Sequence, residues 1–156
     1  MSLYEEKHAL YRKYVDELDS FRETPLNLSD QECREICDRY IKTKVSSWHN
    51  IFDPATGSLV GFLIIGKGYP EKHPDALRSV AQAFVLQEYR GKGLMTAAMK
   101  DYLTRHRGTY SLLILKGNEY AAGFWKRFFE KEGYYETTLW PPVNVNETVM
   151  YAFMPR

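Results

Sequence analysis

The sequence has no long apolar run and no excess of charge of one sign. No stretch of its 156 residues approaches the roughly 18 apolar residues that a membrane-spanning helix needs. Its 21 basic residues nearly balance its 20 acidic residues, whereas proteins that bind nucleic acids usually carry a basic excess. We therefore expect neither a membrane nor a nucleic acid as partner.

The start of the chain lacks the apolar core of a secretory signal peptide. Charged residues are spread through the first twenty positions, where a signal peptide needs a continuous apolar segment. This pattern predicts a cytoplasmic protein.

Cysteine is scarce, since the chain has only Cys33 and Cys37. A spacing of four places both thiols on one face of a helix, which is compatible with a metal site. No further cysteine and no histidine of the same helix completes a ligand set, and both cysteines continue an apolar stripe. Buried, inert thiols are therefore the favoured interpretation, and we expect no metal.

What the chain does contain is enough apolar material for one domain. Hydrophobic residues make up 44% of the sequence and charged residues 26%, an ordinary balance for a globular protein. The length suits one core, and no repeat or linker divides the chain. We predict a single domain over 1–156, with a helical part at 1–44 and a sheet core at 45–154.

Apolar periodicity and turn residues predict the order of the helices and strands. Helical spacing of apolar residues, and a capping box at Ser29 and Glu32, indicate two helices before residue 45. Strands are predicted at 45–52, 59–65, 79–86, 112–115, 134–140 and 148–154, and helices at about 94–106 and 119–132. A strand–helix–strand unit implies parallel pairing, and hairpins imply antiparallel pairing. The fold class is therefore α/β with a mixed sheet.

A glycine-rich junction, Arg90-Gly91-Lys92-Gly93, follows the third predicted strand and opens a helix. The first N–H groups of a helix have no partner within it, and the helix dipole adds partial positive charge. The glycines let a phosphate approach, and the two cations add charge at the rim. The junction therefore predicts a site for a phosphate or pyrophosphate, although glycine spacing alone is equally compatible with a simple tight turn.

Two other phosphate-binding motifs do not fit. The segment 61–67 has the spacing of a Walker A loop, but Gly68 replaces the Ser or Thr that holds magnesium, and the residues between the glycines read as a strand core. A Rossmann fingerprint needs a third glycine where this chain has Thr96. A regulator that binds ATP at the junction is disfavoured because magnesium ligands are lacking.

The segment 84–94, FVLQEYRGKGL, resembles the central strand and pyrophosphate loop of the GNAT superfamily of acyl-CoA-dependent N-acetyltransferases. Asn118, followed by an aromatic helix and by Gly133 and Tyr134, resembles the second motif of that family. The resemblance covers about 45–154. It implies a GNAT-like fold, in which two N-terminal helices precede a twisted mixed sheet flanked by helices.

The resemblance also implies a site for acetyl-CoA in a V-shaped opening between the third strand and the strand at 112–115. Strand backbone would pair with the pantetheine arm, amides of the junction would hold the pyrophosphate, and an asparagine would bind pantetheine or cap the following helix. The residues implied are Phe84, Val85, Leu86, Arg90, Gly91, Lys92, Gly93, Leu94, Met95 and Asn118. A homodimer formed through the final strands is implied as well.

The implied activity is direct transfer of an acetyl group from acetyl-CoA to a primary amine of a small molecule or peptide, without a metal. The alternative is a catalytically silent module that binds or senses acyl-CoA. One departure from the family pattern, Glu88 in place of Gln or Arg at the start of the loop, concerns a side-chain contact only. Two further departures support the silent module. The family's proton-donating tyrosine is Phe129 or Trp125 here. The carboxylate that the family usually has on its central strand is also missing, since Gln82 is the one polar residue of 80–86.

The catalytic residues therefore stay open. Water or Tyr120 is a candidate proton donor to the thiolate. Candidate bases, acting through water, are His49, His73, Asp75, Glu119 and Glu147. For His49 a half-buried position without a catalytic role is the favoured interpretation, and the aromatic residues of the helix at 119–132 are expected in the core.

Overall fold

The computed structural model describes residues 1–68, 78–137 and 147–156. Within these ranges lie four α-helices, a short 3₁₀ turn (Gln87–Tyr89) and six strands. In chain order the elements are α1 (Leu3–Asp19), α2 (Asp30–Lys42), β1 (Ser47–Phe52), β2 (Leu59–Lys67), β3 (Arg78–Val85), α3 (Leu94–Arg105), β4 (Tyr110–Leu115), α4 (Glu119–Lys131), β5 (Tyr134–Thr137) and β6 (Thr148–Pro155). This is the α/β order that the sequence predicts.

The predicted boundaries differ from the observed ones by a few residues. β1 begins at Ser47 rather than at residue 45, because Val45 turns back and its N–H donates to Thr43 Oγ1 at 3.2 Å. β2 continues beyond Gly66, since Gly66 and Lys67 still pair with β3. The predicted loops around 73–75 and 141–142, and the end of the strand predicted at 134–140, lie outside the described residues.

The six strands form one mixed sheet in the order β1-β2-β3-β4-β6-β5. Every neighbouring pair is antiparallel except β3 and β4, which are parallel. In the described part of the chain, β3 and β4 pair only at their first residues, Arg78 with Tyr110 and Ser79 with Ser111. Beyond that point the two strands separate, so an opening forms between their carboxyl ends.

Each face of the sheet carries one pair of helices. α1 and α2 pack on the face that presents Phe62 and Phe84, whereas α3 and α4 pack on the face that presents Leu63 and Val80. On the α1 face, the Tyr11 hydroxyl donates to Gln82 Oε1 of β3 at 2.6 Å. This contact fixes α1 against the edge of the opening.

Local signals in the sequence account for the helix ends. Ser29 Oγ accepts from Glu32 N–H at 3.1 Å, and Glu32 Oε1 accepts from Ser29 N–H at 3.0 Å, which confirms the predicted capping box. Gly133 follows α4 with a φ of +85°, as expected for a glycine that terminates a helix. No helix of the described residues is long and apolar enough to cross a bilayer.

Cys33 and Cys37 lie in the core between α1, α2 and the sheet, with 3% and 0% of their surface exposed. Both are free thiols. Burial raises the pKa of the Cys37 thiol to about 12. The interpretation of these residues as buried, inert thiols is thereby confirmed.

Candidate active site

A cavity of about 560 Å³ fills the opening between the separated ends of β3 and β4. Residues 80–85 of β3 form one wall, and residues 112–115 of β4 form the other. The end of α1 borders the cavity on one face of the sheet, and the start of α3 lies at its rim. The V-shaped opening that the resemblance implies is therefore present between the two expected strands.

The two glycines of the junction adopt left-handed backbone conformations, with φ of +76° at Gly91 and +78° at Gly93. Gly93 is the N-cap of α3. A Cβ atom on either glycine would meet no other atom within 4 Å. The turn therefore requires glycine at both positions, and the space beside each Cα is free of other protein atoms.

Several backbone amides of the junction have no hydrogen-bond acceptor in the described part of the chain. Arg90 N–H donates to Gln87 O at 3.2 Å, and Ala97 N–H donates to Gly93 O at 2.9 Å. Between them, the amides of residues 91–96 have no acceptor among the described residues. Unpaired amides at the start of a helix bind anions, so this segment fits a diphosphate.

The Arg90 side chain turns inward instead of standing free at the rim. Its Nη2 donates to both carboxylate oxygens of Glu17, at 2.7 and 2.8 Å, and its Nε donates to Val85 O at 2.8 Å. The guanidinium also lies 5.5 Å from the centre of the Phe84 ring. Arg90 therefore fixes the junction against α1 and β3, and Lys92, with Nζ over the Tyr89 ring, is the exposed cation.

The backbone of β3 presents alternate residues to the cavity. Leu86 N–H donates to Val60 O at 2.9 Å, so the backbone polar groups of Leu86 and Phe84 point toward β2. Those of Val85 and Ala83 point toward the cavity. Of the three residues implied to pair with the pantetheine arm, Val85 has the suitable backbone orientation, and Ala83 is an additional candidate.

Asn118 lies at the cavity and caps α4. Its Oδ1 accepts from Ala121 N–H at 3.2 Å. Its Nδ2 has no acceptor within the described ranges, so the same side chain has two donor hydrogens to offer a ligand. The two roles expected for Asn118 are therefore compatible with each other.

The aromatic residues of α4 divide between the core and the cavity. Phe129 is fully buried and stacks on Phe153, with ring centres 4.4 Å apart. It does not line the cavity, whereas Trp125 is buried and contributes to the wall. Tyr120 is 60% exposed and also lines the cavity. Trp125, not Phe129, thus occupies the part of α4 that faces the site.

The described candidate bases do not reach the cavity. His49 Nε2 lies 2.8 Å from Ser47 Oγ, and burial lowers the pKa of its ring. Glu147 accepts from Glu23 N–H at 2.9 Å, and Glu119 lies on the first turn of α4 without lining the wall. The remaining two candidates, His73 and Asp75, lie outside the described residues.

Some polar residues of the cavity were not among the sequence candidates, and three of these, Tyr14, Glu17 and Arg22, come from α1 and the turn after it. Tyr14 belongs to the apolar stripe that predicts α1, and Glu17 lies one turn further along. The stripe shows which face of the helix is buried. It does not show that this face meets the opening, because packing between distant segments decides that.

The fold is a mixed sheet whose parallel strands separate beside a helix start with unpaired amides. Residues 8–130 match the model of the acetyltransferase (GNAT) family. The match spans most of the chain, which therefore belongs to this family. No protein of curated function matches the sequence. Among the described residues no group of three or more potential ligands is placed to hold a metal ion.

Solved structures share the fold at low sequence identity. An acetyltransferase from Thermus thermophilus is 14% identical with a TM-score of 0.65, covering 93% of this chain and 86% of that one. An N-acetyltransferase from Staphylococcus aureus Mu50 is 12% identical with a TM-score of 0.64, covering 97% and 96%. The microcin C7 self-immunity acetyltransferase MccE, solved with acetyl-CoA and AMP, is 8% identical with a TM-score of 0.64, covering 97% and 86%.

Proposed function

We propose that the protein transfers an acetyl group from acetyl-CoA to a primary amine of a small molecule or peptide, within a ternary complex. One observation carries this proposal. The free amides of residues 91–96 and the unpaired edge of β3 border the same cavity. Coenzyme A has a diphosphate followed by an arm with two amides, so its chemistry complements both features.

In the proposed complex the diphosphate binds the amides at the start of α3, and the arm lies along the cavity side of β3. Ala83 supplies its backbone groups to the arm and Val85 supplies its N–H, because Val85 O already accepts from Arg90 Nε. Asn118 Nδ2 donates to one of the carbonyl groups of the arm. The membership of the GNAT family and the acetyl-CoA in the related MccE fold support this arrangement. The opposite, α1-side half of the cavity is then left for the acceptor.

The reaction proceeds by attack of the neutral amine nitrogen on the thioester carbonyl carbon. The C–N bond forms, the C–S bond breaks, and the electron pair of that bond leaves on the coenzyme sulfur. A backbone N–H of β3 that faces the cavity would stabilise the carbonyl oxygen as it gains negative charge. Water carries away the proton of the amine, and water or Tyr120 protonates the thiolate.

A catalytically silent acyl-CoA-binding module is the second candidate. It is favoured by the absence of a free carboxylate or histidine among the described residues that line the cavity. Release of coenzyme A thiol from acetyl-CoA, measured across a panel of amines, separates the two. Turnover with any amine supports the enzyme, whereas binding of coenzyme A in calorimetry without any thiol release supports the silent module.

We also propose a homodimer in which an edge of the sheet pairs with its copy. β5 is an edge strand, and its Tyr135 is 39% exposed. Light scattering during size-exclusion chromatography tests this proposal, because a monomer mass would contradict it.

A further inference from the structure

Arg22, in the turn after α1, lies in the wall of the cavity with only 16% of its side chain exposed. A buried arginine is nearly always paired. The neighbouring acid is Asp19, whose Oδ1 lies 3.3 Å from Arg22 Nε. That contact does not reach hydrogen-bond geometry, so Nε is buried without an acceptor.

Asp19 is occupied by the backbone that follows it. Its Oδ1 accepts from Leu26 N–H and its Oδ2 from Asn27 N–H, each at 3.1 Å. Asp19 therefore lies beside the Nε edge of Arg22, and Nη1 and Nη2 have no acceptor among the described residues. The two terminal nitrogens of a guanidinium match the two oxygens of a carboxylate.

Asp19 pairs with the Nε edge of Arg22, and the other charges of the cavity do not compete for its terminal nitrogens. Of the described residues that line it, Glu17, Arg22 and Arg90 are the charged ones, and Glu17 is bound to Arg90. A polyamine would find no free carboxylate in this wall. A single carboxylate carries one negative charge, and its two oxygens match the two terminal nitrogens of Arg22.

Arg22 also lies on the acceptor side of the sheet. Burial raises the pKa of Tyr14, and the nearby charge of Arg22 opposes this rise. Tyr14 packs on Phe62 and Phe84, on the face of the sheet that carries α1. α3, whose first amides fit the diphosphate, packs on the opposite face.

We propose that Arg22 binds a carboxylate of the acceptor, so that the acceptor is an amine that also carries a carboxylate. Amino acids are the simplest members of this class. The inference rests on the proposed acetyl transfer, which it narrows to one kind of amine. Tyr14, Leu18 and Phe84 line the cavity on the face that carries α1, so an acceptor with an apolar body fits better than a small polar one.

The test compares three amines that share one apolar body: L-phenylalanine, L-phenylalaninamide and 2-phenylethylamine, with corresponding sets built from leucine and methionine. Thiol release from acetyl-CoA is measured for each. We expect kcat/KM at least about tenfold higher for the member with the carboxylate. Arg22→Gln should remove this preference, and Arg22→Lys should retain part of it because a cation remains.

Arg12→Gln is the matched control, because Arg12 pairs with Asp16 on α1 and does not line the cavity. It should leave the preference unchanged. Coenzyme A binding and thermal unfolding of Arg22→Gln should resemble those of the wild type, which separates a lost contact from a lost fold.

The outcomes distinguish this inference from the proposed function. Turnover without preference for the carboxylate, or a preference that survives Arg22→Gln, overturns the inference and leaves acetyl transfer standing. Absence of turnover with every amine overturns acetyl transfer. In that case calorimetry of the coenzyme A complex with N-acetylphenylalanine and its amide still tests Arg22, and equal or absent binding of the two overturns the inference.

Discussion

Glu17 of α1 and Arg90 of the glycine-rich junction form an ion pair in which Arg90 Nη2 lies 2.7 and 2.8 Å from the two carboxylate oxygens. The two residues are 73 positions apart in the sequence. Arg90 Nε also binds Val85 O. One guanidinium thus connects α1, the strand that lines the cavity and the glycine-rich junction.

Glu17→Gln should weaken coenzyme A binding, because it removes the charge that holds Arg90 and with it the junction. We expect a several-fold higher KM for acetyl-CoA. The loss of unfolding free energy should be only about 1 kcal/mol, since both side chains are partly exposed. Glu5→Gln is the control, because Glu5 pairs with Arg34 on the exposed side of α1. Equal KM values for both variants would contradict the link between Glu17 and the loop.

Gly91→Glu should abolish coenzyme A binding, because the new carboxylate would repel the diphosphate at the start of α3. Gly57→Glu is the matched control. Gly57 has a φ of +75°, and a Cβ there also meets no atom within 4 Å, but it lies in the turn between β1 and β2. Both variants should lose about 1–2 kcal/mol of stability from left-handed strain. Calorimetry should show that Gly91→Glu no longer binds coenzyme A, whereas Gly57→Glu still does. Coenzyme A binding by Gly91→Glu would overturn the proposed diphosphate site.

The extent of sequence-based prediction differs between local and distant features. The capping box at Ser29 and the helix start at Gly93 depend on residues next to each other, so the sequence predicts them correctly. The contacts of Glu17 and Arg22 depend on how α1 lies across the opening. The separation of β3 from β4 sets that geometry, and no short motif encodes it. For the same reason the sequence alone leaves both Phe129 and Trp125 as the residue at the position of the family's tyrosine. The packing of α4 shows that only Trp125 lines the cavity.

Tyr120→Phe should lower kcat if this tyrosine protonates the departing thiolate. Tyr120 is exposed and lines the cavity, so the substitution removes only a hydroxyl group. We expect kcat to fall about tenfold or more, with little change in the KM for acetyl-CoA. Tyr135→Phe, which changes an exposed tyrosine of β5 outside the cavity, should leave kcat unchanged. An unchanged kcat for Tyr120→Phe would indicate that water, and not Tyr120, protonates the departing thiolate.

Cys37 should resist alkylation in the folded protein. The residue has no exposed surface, and burial raises the pKa of its thiol to about 12, so almost no thiolate is present at neutral pH. Iodoacetamide should modify Cys37 only as fast as the protein unfolds, and mass spectrometry of digested protein measures this. Modification of both Cys33 and Cys37 should become rapid in denaturant. Fast labelling of Cys37 under native conditions would contradict the observed core.

His49 should make the folded protein less stable in acid. Burial, assisted by the charge of Arg105, lowers the pKa of His49 below its ordinary value of 6.5. Below that pH the unfolded chain takes up a proton that the folded chain resists, so the free energy of unfolding falls as the pH falls. His49→Gln removes this contribution. As the pH falls from about 8 to about 5, the free energy of unfolding of the variant should therefore rise relative to that of the wild type. Urea unfolding measures both. Since His49 does not line the cavity, the pH profile of kcat should be the same in both proteins. A difference in stability that does not change with pH would show that His49 titrates alike in the folded and unfolded chains.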